Sequence, residues 1–302
     1  MKITLNIFII LGSKLFFGQV NDNYIKYYNL CNSGDKELYY KNYQAALNYY
    51  DSAFKCVKYS HSFNLEKAAI AATKANNKDK ATQYLRQAIL NGKSAEILKD
   101  KKYRKLKHFD KFVDLKDSAK IHESNFRKRI NTKYAREIDS LQFIDQYVIR
   151  GNKFFKNHFY FNPDTISNKS NLDSIVFSHL LSLIEKYGFP SERVVGPKGY
   201  ENVYIILHHN VRLPQNSKYI EMVTNALHNG EYLPENFAWM YDQSKEFKNE
   251  KPFFYYGSAN PTKLSQSERQ EIEKNRFEYG VKPIESTRIK VIGKVLIQRQ
   301  LW

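Results

Sequence analysis

Apolar residues recur at helical spacing through most of this chain. Tyr43, Ala46, Leu47, Tyr50, Ala53 and Phe54 form one such face. The same frame returns thirty-five residues later as Lys78, Ala81, Thr82, Leu85, Ala88 and Ile89, and a spacing of three and four is that of a helix with one buried side. Leu30 returns as Leu65, and the small Gly34 as the small Ala69. Small residues at these points let paired helices approach, Gly34 against Ala46 and Ala69 against Ala81. A bulky side chain there would push each pair apart. Gly92 is expected to cap the fourth helix, and residues 96–115, with Phe109 and Phe112, to complete the stack.

A period near 34 residues with small residues at the crossings resembles the tetratricopeptide repeat. Lys78 departs from that pattern, because an aromatic is usual there. The resemblance implies a helical repeat over 20–115 whose concave face docks a protein or peptide.

Residues 116–137 form a polar, basic helical linker, a solvated spacer without Pro or Gly. A second helical domain is expected over 138–302. Ile138, Leu141, Val148 and Ile149 make one stripe, and Asp145 falls inside it. A carboxylate on an apolar face is costly unless something pairs with it, so a distant segment must reach it. Arg276 and His209 are the candidates. After a loop over 154–171, Asp173 opens a helix with Val176, Leu180, Leu183, Ile184 and Tyr187 on its apolar side, ended by Gly188. The stretch Val194-Val195-Gly196-Pro197 is a loop feeding a helix over 200–211. That helix is apolar on two sides, which places it centrally and puts His209 at a buried position. Further helices run from Tyr219 to His228, from Pro234 to Asp242, and from Ser265 through Arg276 to the stop at Gly280. Residues 288–298 alternate as a strand or hairpin does. The fold class is therefore mainly α, a helical repeat followed by a helical globular domain with a small C-terminal β element.

The same residues resemble a bacterial domain family of unknown function. Its pattern stands here as Asp145-Gln146-x-x-x-Arg150, Gly188-Phe189-Pro190, Val195-Gly196, Leu207-His208-His209, Tyr241-Asp242-Gln243, Tyr256-Gly257-Ser258 and Asn275-Arg276 with Gly280. The likeness spans about 141–286. His208 replaces an expected Gln and Gln243 an expected Arg. Since no activity belongs to that family, the likeness implies a boundary and a residue list only.

Composition adds a destination. Lys2 precedes an apolar run over 3–17 that ends in Phe-Phe-Gly-Gln, the form of a signal peptide over 1–18. The run is shorter than the roughly twenty residues of a membrane span. A periplasmic or secreted protein is expected. The formal charge is +17, and it is concentrated. Lys99 opens and Arg136 closes a stretch with 14 Lys+Arg against 5 Asp+Glu. In an exported protein such a strip suits an anionic envelope polymer or lipid better than nucleic acid. Cys31 and Cys56 lie at similar distances from the turn near Asn42, so a disulfide and two free thiols are both open.

Candidate chemistry centres on His209, Asp145 and Asp242 as acid–base groups, with Arg150, Arg276, Gln146 and Tyr256 as ligand-binding groups. His208 and His209 point about 100° apart on a helix, which does not suit one metal ion. No nucleophile elbow, phosphate loop or zinc spacing occurs, so no cofactor is expected. Two readings follow. One is an exported binding or scaffold protein. The other is an envelope-directed hydrolase in which His209 or Asp145 is the general base and Arg150 or Arg276 holds an anion.

Overall fold

The computed structural model describes residues 23–150, 169–210, 217–246, 254 and 264–285. The expected leader over 1–18 and the expected β element over 288–298 lie outside them, as does most of the expected 154–171 loop. The described residues contain helices and no strand. The helices are α1 (Asn23–Tyr39), α2 (Tyr43–Cys56), α3 (Ser62–Lys74), α4 (Lys78–Leu90), α5 (Asp110–Arg129), α6 (Thr132–Arg150), α7 (Lys169–Tyr187), α8 (Glu192–His209), α9 (Ser217–His228), α10 (Pro234–Glu246) and α11 (Gln266–Glu278), with two 3-10 helices between α4 and α5. None of these helices is long and apolar enough to cross a membrane.

The first four helices are two hairpins with one construction. Lys41 (φ 65°) and Asn76 (φ 61°) turn the chain in the left-handed conformation at equivalent places. Asn42 N donates to Glu37 O at 2.9 Å, and Asn77 N to Ala72 O at 2.8 Å. Both pairs repeat at the thirty-five-residue offset visible in the apolar frame. Ala46, Ala69 and Ala81 are fully buried. Gly34 lies under the ring of Tyr50, where an added Cβ would stand 3.0 Å from ring atoms. Lys93 N closes α4 by donating to Ala88 O at 2.9 Å, with Gly92 at φ 104°, the helix-ending geometry that glycine favours. Leu98, Tyr103, Leu106, Phe112 and Leu115 then cover the outer side of the second hairpin.

Residues 116–137 are not one spacer helix. α5 ends at Arg129 and α6 starts at Thr132. Ala119, Phe126 and Tyr134 are buried in that span. Asn131 holds the corner: its N–H donates to Val194 O at 2.8 Å, and its Oδ1 accepts from Tyr134 N at 3.0 Å. The linker segment is thereby packed into the body.

Two helix starts differ from the sequence expectation. α7 begins at Lys169, four residues before Asp173. α8 begins at Glu192 and is interrupted at Gly196 (φ 80°, ψ 167°) before Pro197 restarts it. Pro is well tolerated at a first helical position, so the Gly-Pro pair is a kink and not a loop.

The C-terminal half packs on α1. Tyr28 Oη donates to Tyr232 O at 3.3 Å, Asn29 Nδ2 to Phe277 O at 2.8 Å, and Asn32 Nδ2 to Gly280 O at 2.9 Å. Lys282 Nζ lies 3.1 Å from Asp35 Oδ2. The side chains α1 points away from its own hairpin partner are thus taken up by the turns that follow α9 and α11.

Candidate functional site

α6 packs extensively on α8, with two polar rungs between them. Asn202 Nδ2 donates to Asp139 Oδ1 at 2.6 Å. Six residues further on α6 and seven further on α8, His209 Nδ1 donates to Asp145 Oδ2 at 2.6 Å. Both rungs advance together, so the helices run in the same direction. Ile138 and Leu141 on α6, with Val203, Ile206 and Leu207 on α8, are buried. They shield the Asp145 rung, while Asp139 keeps 40 % of its side-chain surface and also faces Lys198 at 3.6 Å.

Asp145 is 0 % exposed, while the His209 side chain keeps 15 % of its surface. Gln146 Nε2 also donates to Asp145 Oδ2, at 3.1 Å. The other oxygen, Oδ1, is buried and makes no hydrogen bond among the described residues. A bond from Nδ1 to a carboxylate sets the imidazole tautomer and the ring's orientation. It leaves Nε2 as the lone-pair nitrogen of the neutral ring. Nε2 makes no hydrogen bond among the described residues. The His208 ring has its centroid 5.5 Å from that of His209, edge to face at 70°, and is itself stacked on Trp239 with centroids 3.5 Å apart.

Asp242 and Arg276 meet elsewhere, on the backbone of Phe254. Asp242 Oδ1 accepts from Phe254 N at 2.7 Å. Arg276 Nε donates to Phe254 O at 2.9 Å, and Nη1 to Lys282 O at 2.6 Å. Arg276 is 2 % exposed, so two of its donors are turned inward on carbonyls. It is not the group that meets Asp145, and these two contacts hold the backbone at Phe254 and Lys282. The side chain of Arg150 and the whole of Tyr256 lie outside the described residues. No family model matches the chain. No curated protein and no solved structure matches it either. The two resemblances rest on the residues quoted above alone. No group of three or more His, Cys, Asp or Glu among the described residues could hold a metal ion.

Two further buried polar clusters join the hairpins to the rest of the chain. In the first, His61 Nδ1 is 3.0 Å from Glu192 Oε2, and His61 Nε2 is 3.1 Å from Tyr28 Oη. Ser62 Oγ donates to the other Glu192 oxygen. In the second, Tyr50 Oη and Lys67 Nζ each donate to Asp35 at 2.6 Å, with Lys282 on the same carboxylate. Burial pushes the Asp35 carboxyl up, but Lys67 and Lys282 outweigh it and hold it below the ordinary carboxylate value. Burial likewise pulls Lys67 down, only partly offset by Asp35. One signal could have found this cluster. Asp35 sits one turn after Cys31 and three residues before Leu38, on the buried side of α1, the same anomaly that singled out Asp145.

The cationic strip has its own geometry. In the 3-10 helix Lys101–Leu106, Tyr103 and Leu106 are buried. Lys101, Arg104 and Lys107 share a three-residue spacing and are exposed. A 3-10 helix repeats every three residues with a rise of about 2 Å per residue, so these three charges stand in a row about 6 Å apart. Lys105 is exposed beside them, and none of the four has an acidic partner among the described residues. Lys102, by contrast, is held by Glu66 at 2.9 Å and Asp100 at 3.0 Å.

Proposed function

We propose that this is a binding protein whose helical body presents a cationic strip to an anionic polymer of the cell envelope. The observation that carries the reading is the row of Lys101, Arg104 and Lys107, with Lys105 beside it. Elsewhere the buried charges are matched: Glu66 takes Lys93 and Lys102, and Asp35 takes Lys67 and Lys282. Unmatched exposed cations at regular spacing attract a chain of repeated negative charges and draw their strength from low salt. The apolar N-terminal run supports an exported protein and hence an envelope setting.

The test is binding of the whole protein to a linear polyphosphate probe at rising salt, beside Arg104→Glu/Lys107→Glu. The wild type should bind with an affinity that falls steeply with salt, and the double variant at least about tenfold more weakly at low salt. Equal binding by both proteins would remove the basis for the reading. Vesicles containing anionic lipid form the comparison arm. Stronger binding there than to the polymer would move the partner from polymer to lipid.

A second reading keeps a protein or peptide partner. The α1 face toward the C-terminal half is taken by the chain itself, so that partner would dock at the far end of the first hairpin. Tyr39 and Tyr40 are exposed there with rings edge to face at 5.3 Å, and Tyr49 is exposed on α2. Exposed tyrosines are favoured anchors at interfaces. Cross-linking through a photoreactive group at Tyr40 would show a protein partner there, and the absence of any adduct would leave the polymer reading alone.

A further inference from the structure

We infer that Asp145 and His209 form an acid–base pair able to hydrolyse an activated carboxylic ester. It stands apart from the cationic strip, and neither depends on the other. His209 is the catalytic residue and Asp145 positions it. Three observations combine. The Nδ1–H bond to Asp145 is short and fixes the ring. The carboxylate that receives it is wholly buried, where a charge acts on its neighbour with less screening. Nε2 is left without a partner on a ring that retains contact with solvent. This is the base-and-orienter half of a hydrolytic site.

The second Asp145 oxygen strengthens the case. A buried oxygen without a donor is costly. Nothing in the packing of α6 on α8 requires it, since one oxygen already joins the helices. A charge that must strengthen its hold on a ring when that ring becomes imidazolium has a use for the full carboxylate. The chemistry open to a lone oriented imidazole is activation of water toward a carbonyl carbon. Water gives one proton to Nε2 while its oxygen bonds to the acyl carbon. The tetrahedral intermediate then collapses, the C–O bond to the leaving group breaks, and Nε2–H returns the proton to the departing oxygen. The products are a carboxylic acid and an alcohol or phenol, with no redox change.

The probe is 4-nitrophenyl acetate, followed as release of 4-nitrophenol by the full-length protein. The His209→Gln variant should lose at least about tenfold of the rate above background, at the lower end of what general-base assistance supplies. Asp145→Asn should lower kcat with KM nearly unchanged, because the neutral amide orients the ring less firmly. A purely structural Asp145 would leave kcat in place. Should either variant fail to fold, the wild type decides the matter through stepwise acylation with diethyl pyrocarbonate and peptide mapping. Loss of esterase activity should track modification of His209. An unchanged rate in His209→Gln, or full activity with His209 modified, overturns the inference.

Discussion

Gly280 approaches Tyr28 so closely that a Cβ at position 280 would stand 2.7 Å from the tyrosine's own Cβ. Gly280 has φ 69° and ends α11. Gly230, with φ 67°, ends α9 in the same way against the ring of Tyr24. The left-handed turn that stops each helix also removes the side chain that would have held it off α1. Two ordinary stop signals therefore serve a long-range contact. Through them the first helix of the first hairpin is built into the C-terminal half, and the side of α1 that a repeat array would offer a partner is filled.

Gly280→Ala should be more costly than the same change at Gly188. Both have positive φ, and a Cβ in that conformation costs about 1–2 kcal/mol. Gly188 (φ 81°) has nothing within 4 Å of the added atom, whereas Gly280 meets Tyr28. Urea unfolding should show a loss of about 1 kcal/mol for Gly188→Ala and clearly more for Gly280→Ala. Equal losses would mean that Gly280 does not bear on Tyr28.

Local signals in the sequence carried most of the helices and little of what joins them. Ser265 caps α11 with a full capping box to Glu268, and Gly92, Gly188 and Gly280 end helices where their positions imply. Gly196 misled because a Gly-Pro pair marks loops and helix restarts alike. Asp145 was conspicuous because one carboxylate interrupts an apolar stripe, and that pattern names a need for a partner without choosing it. His209 and Arg276 both met the need on paper. Three-dimensional packing gives Asp145 to His209 and sets Arg276 against the carbonyls of Phe254 and Lys282. Glu192 gave no signal, because a glutamate in the first turn of a helix is ordinary. Its partner His61 is 131 residues away.

Acid should weaken the protein through Asp35 and Glu66. Both carboxyls lie below their ordinary values in the fold. Burial opposes this in each case, and Lys67 with Lys282, or Lys93 with Lys102, prevails. A carboxyl lowered by folding contributes stability that is complete above its unfolded value, about 3.9 for Asp and 4.3 for Glu. That contribution is lost as pH falls through the folded value. The urea midpoint should hold down to about pH 5 and drop progressively below about pH 4. A midpoint that rises on acidification would contradict the ion pairs.

The two cysteines should behave differently toward thiol reagents. Both are free. Cys31 is 3 % exposed, and burial, with Asp35 beside it, pushes its thiol far up. Cys56 is half-buried and donates to Ser52 O at 3.4 Å. Since the thiolate is the reactive form, N-ethylmaleimide at neutral pH should label Cys56 in the folded protein and both residues in urea. Labelling of neither in urea without reductant would reveal a bridge.

The hairpins and the C-terminal half should unfold as one body, and one measurement tests that directly. Trp239 reports on α10, provided that Trp302, the other tryptophan, is replaced by Phe. In that background Asp35→Asn removes a charge from α1 only. Losing one member of a buried ion pair costs about 3–5 kcal/mol. If α1 is an integral part of the C-terminal half, the Trp239 fluorescence transition in urea moves to lower concentration together with the far-ultraviolet helix signal. A Trp239 midpoint unmoved by Asp35→Asn, with helix signal lost ahead of it, would show two independent bodies and return the α1 face to binding.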